Sequence, residues 1–270
     1  MRTVIPPVLL LVMLTIFSTN SAKGQKQEVG LLIGSSYYLG DLNPYMHFAM
    51  ANFAGGAMYR RNFTENISAR VNFLYGKVEA DDAVINYNPG RNLHFKSTIM
   101  ELSLQAEINF VPFITGDIDT PYSFYLFAGG GAFRFNPKAQ HNGQWHELRP
   151  LGTEGQNSDM YPDRKAYSLY SYNLLFGVGM KFYISESIGA GIEWGMRRTA
   201  TDYLDDVSTT YPDPDALSGF AQNFSDRSIG QTNQPGMQRG NPYNNDWYSF
   251  AGVTISIRIK NPSKLRCHAY

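Results

Sequence analysis

Residues 187–208 read SIGAGIEWGMRRTATDYLDDVS, and the first half of this stretch alternates with period two. Ile188, Ala190, Ile192, Trp194 and Met196 fall on one face. Gly189, Gly191, Glu193, Gly195 and Arg197 fall on the other. Successive side chains of a strand point to opposite faces, so this is a strand with one apolar face and one small or charged face. Glutamate and arginine at mid-strand point to a wet or ion-paired interior behind an apolar exterior, which suits a membrane barrel. The second half, from Thr201 to Ser208, reads as an acidic loop running straight out into water.

Seven further stretches repeat this pattern, at about 28–39, 51–61, 66–80, 94–112, 122–135, 167–183 and 245–260. The clearest alternates Met100, Leu102, Leu104, Ala106, Ile108 and Phe110 with Glu101, Ser103, Gln105, Glu107 and Asn109. A helix would need apolar spacings of three and four, which this run lacks. The glycine run Gly129-Gly130-Gly131 predicts a bend or a close strand approach. Connections after the second, fourth and sixth strands are short; those after the first, third, fifth and seventh are longer, with 136–166 and 201–244 the longest. Short turns on one side and long loops on the other are the habit of outer-membrane barrels. The expected fold is all-β: an eight-stranded antiparallel transmembrane β-barrel with long external loops. A soluble lipocalin-like barrel or sandwich, with the apolar face inward, would alternate in the same way. Aromatic strand ends (Tyr122, Tyr167, Tyr183, Trp247) and a last strand with Gly252 ahead of Ile255 and Ile257 favour the membrane reading.

The ends and the composition agree. Residues 1–24 read as a signal peptide, with Arg2, an apolar run over 4–17 and small residues before a cleavage after Ala22 or Gly24. The barrel is expected over 25–260 and a short basic tail over 261–270, carrying Lys264, Arg266 and the only cysteine, Cys267. One cysteine allows no internal disulfide. The 23 basic and 23 acidic residues balance, so the chain has no basic footprint for nucleic acid. No long apolar run follows the N-terminus, which excludes a helical membrane protein but not a barrel.

Chemistry-bearing residues are few. Arg70, Glu101, Glu107, Lys181, Glu193, Arg197 and Arg258 fall on the expected inner face. Eight strands leave room only for side chains, so an ion-pair network plugging the lumen is the expectation, and a narrow conduction path or proton relay the alternative. Asp202, Asp205 and Asp206 could offer carboxylates to calcium, but they lack the glycine and spacing of a calcium loop, and a solvated acidic loop is the reading favoured. His141, His146 and Glu147 match no compact metal site. No serine–histidine pairing or carboxylate pair stands out, so no catalytic residue, metal or cofactor is expected.

Specific words then carry a resemblance. Residues 38–43 (YLGDLN), 127–131 (FAGGG), 147–156 (ELRPLGTEGQ), 193–198 (EWGMRR) with 201–208 (TDYLDDVS), and 239–241 with 245–248 resemble the PorG-like outer-membrane barrel family of the type IX secretion system, a Bacteroidota family. The resemblance spans about 28–259, and Asp202, Asp205 and Asp206 belong to its most specific motif. It implies a non-enzymatic component of the secretion machine, associated with a periplasmic ring of PorK- and PorN-type proteins and with outer-membrane lipids. A ring beneath the membrane can touch only the short-turn side. The contact is therefore expected on Thr115, Asp117, Asp119 and Thr120, in the longest of those turns. A small transport barrel and a surface adhesion or structural barrel are the competing functions.

Overall fold

The computed structural model describes residues 26–156, 158–228, 230 and 233–259. The signal peptide and the basic tail with Cys267 lie outside the described residues. Eight strands form the wall: β1 (Lys26–Leu39), β2 (Asn52–Asn62), β3 (Ile67–Asp81), β4 (His94–Asn109), β5 (Tyr122–Arg134), β8 (Tyr170–Tyr183), β9 (Ile188–Thr199) and β10 (Trp247–Ile259). Two short strands, β6 (Pro137–His141) and β7 (Gln144–Glu147), make a hairpin that extends the sheet beyond β4. Each wall strand pairs antiparallel with its neighbours, and the sheet closes on itself where β1 meets β10 over 13 register pairs, from Gln27↔Ile259 to Leu39↔Trp247. Closure leaves no sheet edge, and every wall strand exceeds the ~9–11 residues that a tilted span needs.

Burial decides between the two readings of the alternation. Leu102, Leu104 and Ile108 on β4, Leu31 and Ile33 on β1, and Leu174, Phe176 and Val178 on β8 all point out of the barrel and are exposed. Glu101, Ser103, Gln105, Glu107 and Asn109 on the same β4 are buried in the lumen. A soluble barrel would do the reverse, so this is a transmembrane barrel with lipid as its outer solvent. No helix among the described residues is long and apolar enough to cross a membrane.

The inner wall is fitted around two rings. A Cβ on Gly177 would stand 2.4 Å from the ring of Phe127, and one on Gly179 2.5 Å from that of Tyr125. The start of the glycine run is a close approach, as expected: a Cβ on Gly129 would meet the Leu104 carbonyl oxygen of the neighbouring strand. The two long loops carry secondary structure of their own. The stretch 136–166 holds the β6–β7 hairpin, built on Asn142-Gly143 with positive φ at both residues (50° and 78°), and a 3₁₀ turn at Arg149–Leu151. The stretch 201–244 holds a 3₁₀ turn at Pro214–Ala216 and a helix at Gly219–Ser225. These loops are folded structure above the barrel mouth.

Candidate functional site

In the lumen most of the charged side chains meet in one connected set of ion pairs. Arg70, fully buried, holds Glu193 in a two-pronged pair (2.6 and 3.2 Å) and reaches Glu107 with its Nε at 3.1 Å. Glu107 also receives Arg60 at 2.9 Å and Lys181 at 2.7 Å. Arg60 bridges on to Glu28 at 2.9 Å, and nearer the long loops Arg197 meets Glu101 at 3.3 Å. Among the described residues, four buried carboxylates (Glu28, Glu101, Glu107, Glu193) face four buried cations (Arg60, Arg70, Lys181, Arg197). Burying charge is costly unless it is paired, and here each charge has a partner.

Glu28 and Arg60 escaped the sequence reading because each sits near a strand end, where alternation is hardest to phase. Register was the available signal: Glu28 lies directly opposite Arg60 across β1 and β2. Arg258, expected in the lumen, is instead half-buried at its short-turn end and donates to the Thr115 carbonyl oxygen at 3.1 Å. Thr115 is itself buried and helps to close that mouth. It is therefore no exposed contact residue, whereas Asp119 is exposed and Asp117 and Thr120 are half-exposed.

Above the ion pairs lies an aromatic and aliphatic layer that includes Tyr38, Phe95, Phe133, Phe135, Tyr167, Leu204 and Tyr248. Above that is a second polar cluster, where the acidic motif departs most from expectation. Asp202, Asp205 and Asp206 are buried, the last two at 1% exposure, so residues 201–208 fold back over the barrel mouth instead of running into water. The backbone N–H groups of Leu204 and Val207 donate to Asp246 and Asp205 at 2.9 Å, which pins the loop. Asp206 accepts from the hydroxyls of Tyr167 (2.6 Å) and Thr153. Glu154 accepts from the Ser208 and Thr209 N–H groups and from Arg239 at 3.0 Å. Arg91 clamps Asp82 with two bonds (2.8 and 2.7 Å) and donates to the carbonyl oxygens of Asp41 and Arg239.

The charge balance of this cap differs from that of the lumen. Among the described residues six buried carboxyls (Asp82, Glu154, Asp202, Asp205, Asp206, Asp246) meet two buried guanidiniums, Arg91 and Arg239. The surplus is handled with protons. The Tyr38 hydroxyl lies 2.6 Å from an Asp205 oxygen and 2.7 Å from an Asp246 oxygen. A phenol has one proton to give, so one of the two carboxyls must keep its own and donate it to the phenol oxygen. Burial pushes both carboxyls well above the ordinary aspartate range, helped at Asp205 by the charge of Asp246 and at Asp246 by that of Asp202. Burial also raises Asp202 to about 8 and Asp206 to about 6, the latter against the pull of Arg239.

The words singled out in the sequence, at 38–43, 147–156, 201–208 and 239–248, thus meet in one buried network. Sequence reasoning missed Asp82, Arg91, Glu154, Arg239 and Asp246 as members, since nothing local in a loop marks a long-range partner. No group of three or more His, Cys, Asp or Glu among the described residues is arranged to hold a metal.

Residues 8–150 match the family described as Domain of unknown function (DUF6089). The chain belongs to the DUF6089 family. No curated protein matches the sequence. Among solved structures, this DUF6089 barrel is similar to the N-terminal β-barrel domain of Pseudomonas aeruginosa OprF, at 12% identity and a TM-score of 0.36, over 87% of this chain and 100% of that one. It is similar to Neisserial surface protein A (NspA), at 9% identity and a TM-score of 0.42, over 89% and 100%. It is similar to Ail, the attachment invasion locus protein of Yersinia pestis, at 10% identity and a TM-score of 0.40, over 87% and 99%. These are likenesses of fold, and the architecture rests on the strand pairing and the outward apolar face. The DUF6089 protein is a small outer-membrane β-barrel.

Proposed function

We propose that this is a non-enzymatic, non-conducting outer-membrane barrel that works as an anchored binding platform. One observation carries the reading: the lumen is filled along its length, by paired charges, then by aromatic rings, then by the pinned loops of the cap. Eight strands leave no spare bore once such side chains are in place. A platform needs a rigid outward face, and the cap supplies one through side chains that tie loops far apart in sequence. Reconstitution into planar bilayers tests this. The expected outcome is no steady conductance at neutral pH, and stepwise channels would refute it.

The type IX reading is the finer proposal. Its support is the sequence resemblance, whose words converge on the cap, together with exposed acidic residues on the short-turn side. On this reading the barrel contacts a PorK/PorN-type ring through Asp117 and Asp119, with Thr115 excluded by its burial. Charge reversal of both aspartates should weaken co-purification of ring proteins from native membranes. Recovery of the unaltered barrel with no ring lipoprotein would sink this proposal while leaving the platform reading intact.

A further inference from the structure

The first long loop does not join the cap throughout. Part of it folds down against the outer wall. His47 Nδ1 lies 3.0 Å from the Tyr37 hydroxyl, which also accepts from the Trp194 indole at 2.9 Å, and the Phe48 ring centroid is 4.8 Å from that of Tyr37. Tyr37, Trp194 and Met196 are outward-facing wall residues that lipid would otherwise cover; the loop buries Tyr37 and Met196 and leaves Trp194 partly exposed. Phe48 and Met50 adopt positive φ (62° and 48°), a costly choice for bulky side chains, so the packing holds the loop in place. Tyr45, Phe48 and neighbouring Phe53 remain exposed on the outside.

Beside this loop, at the top of the apolar girdle, lies a cleft of about 820 Å3. Its lower wall is Leu39, Met196 and Trp247, with Arg198 directly across from Trp247 in the β9–β10 register. Pro44 and His47 form one side, and Asn241, Asn244 and Asn245 another. Three guanidiniums line it. Arg91 and Arg239, at the deep end near Asp41, are occupied by the cap. Arg198 is exposed, and its side chain has no hydrogen bond or ion pair with any described residue.

We propose that this cleft seats the phosphate-bearing headgroup of an outer-leaflet lipid, with Arg198 as the cation that recognises it. Three features converge on that occupant. The cleft opens where the apolar girdle ends, which is the depth of headgroups. An unpaired guanidinium offers a fork matched to phosphate oxygens. Tryptophan and tyrosine at its edge suit a boundary that is apolar below and wet above. The exposed rings of the loop then rest among the upper acyl chains of the bound lipid.

Native mass spectrometry of the delipidated barrel in mild detergent tests the proposal, with phosphatidylglycerol, phosphatidylcholine and inorganic phosphate as probes. Phosphatidylglycerol should bind in preference to phosphatidylcholine, whose phosphate is neutralised by its own ammonium. Arg198→Gln should weaken phosphatidylglycerol binding about fivefold, the worth of one interfacial cation. Arg134→Gln removes a charge from an exposed residue at the rim two strands away and should leave binding unchanged. Excess inorganic phosphate should not displace the lipid. The proposal is overturned if Arg198→Gln binds like the native protein, if both variants weaken equally, or if free phosphate alone saturates the site. Arg198 is exposed and unpartnered, so its variant is expected to fold, and an unchanged heat-dependent gel shift verifies that.

Discussion

The Tyr38 hydroxyl, held between two aspartates, makes the cap a proton-dependent structure. Asp205, Asp246, Asp202 and Asp206 all keep protons in the folded cap at pH values where a free aspartate, with a pKa of about 3.9, has lost them. Such groups contribute stability that is complete below about pH 4 and is lost as pH rises through the folded values. For Asp206 that loss centres near 6 and for Asp202 near 8. Amide hydrogen exchange over 201–208, corrected for its intrinsic rate, should therefore quicken between pH 5 and pH 9, two values chosen to bracket about 6 and about 8. Asp202→Asn is neutral at every pH and should flatten the upper part of that trend, and an undiminished trend would show that the Asp202 proton is not its cause. In the lumen the stakes are larger. Arg70→Met strands Glu193 without its cation, while Glu107 keeps Arg60 and Lys181, and should cost about 3–5 kcal/mol in a urea unfolding series in detergent. Adding Glu193→Gln should recover part of that loss, because one uncompensated charge is then removed.

At the scale of elements, legibility follows periodicity. The wall strands were readable because their alternation runs over 11 or more residues. On β4 alone, apolar and polar positions separate without exception from Met100 to Asn109. The acidic motif was misread because its aspartates look solvated by composition, and only Tyr38, Thr153, Tyr167 and Arg239, far off in sequence, make burial tolerable. The β6–β7 hairpin was readable and overlooked: Asn-Gly is the residue pair that a tight two-residue hairpin demands. The Trp145 ring of that hairpin lies 3.7 Å from the Lys96 ammonium and edge-on to His94, which anchors the hairpin to the top of β4. Trp145→Ala should cost about 0.5–1 kcal/mol, the worth of an exposed cation–π contact. That loss should loosen hairpin amides in hydrogen exchange while leaving those of the wall strands unchanged.

For the whole molecule, the fold was legible and its orientation followed from loop lengths, but which side chains meet inside was not. Closing the sheet brings Arg70 of β3 against Glu193 of β9, 123 residues apart, and no local pattern encodes that meeting. The same closure separates two surfaces. Residues 113–121 face one compartment, while the cap, the hairpin and the Arg198 cleft face the other. Lipid binding lost in Arg198→Gln and ring association lost on reversing Asp117 and Asp119 should therefore be independent, each variant retaining the other property.

The span of the Tyr38 contacts has a consequence for assembly. Asp205 and Asp246 lie 167 and 208 residues downstream of Tyr38, and Asp246 directly precedes the last strand. Contacts of such separation form late, because the intervening chain must first be ordered. The lid over the mouth can therefore latch only once the first and last strands have met. A barrel stalled one strand short would leave residues 201–208 open to proteases on the cell surface, while a completed one would withhold them. Resistance of that segment to cleavage is thus a built-in mark of finished insertion.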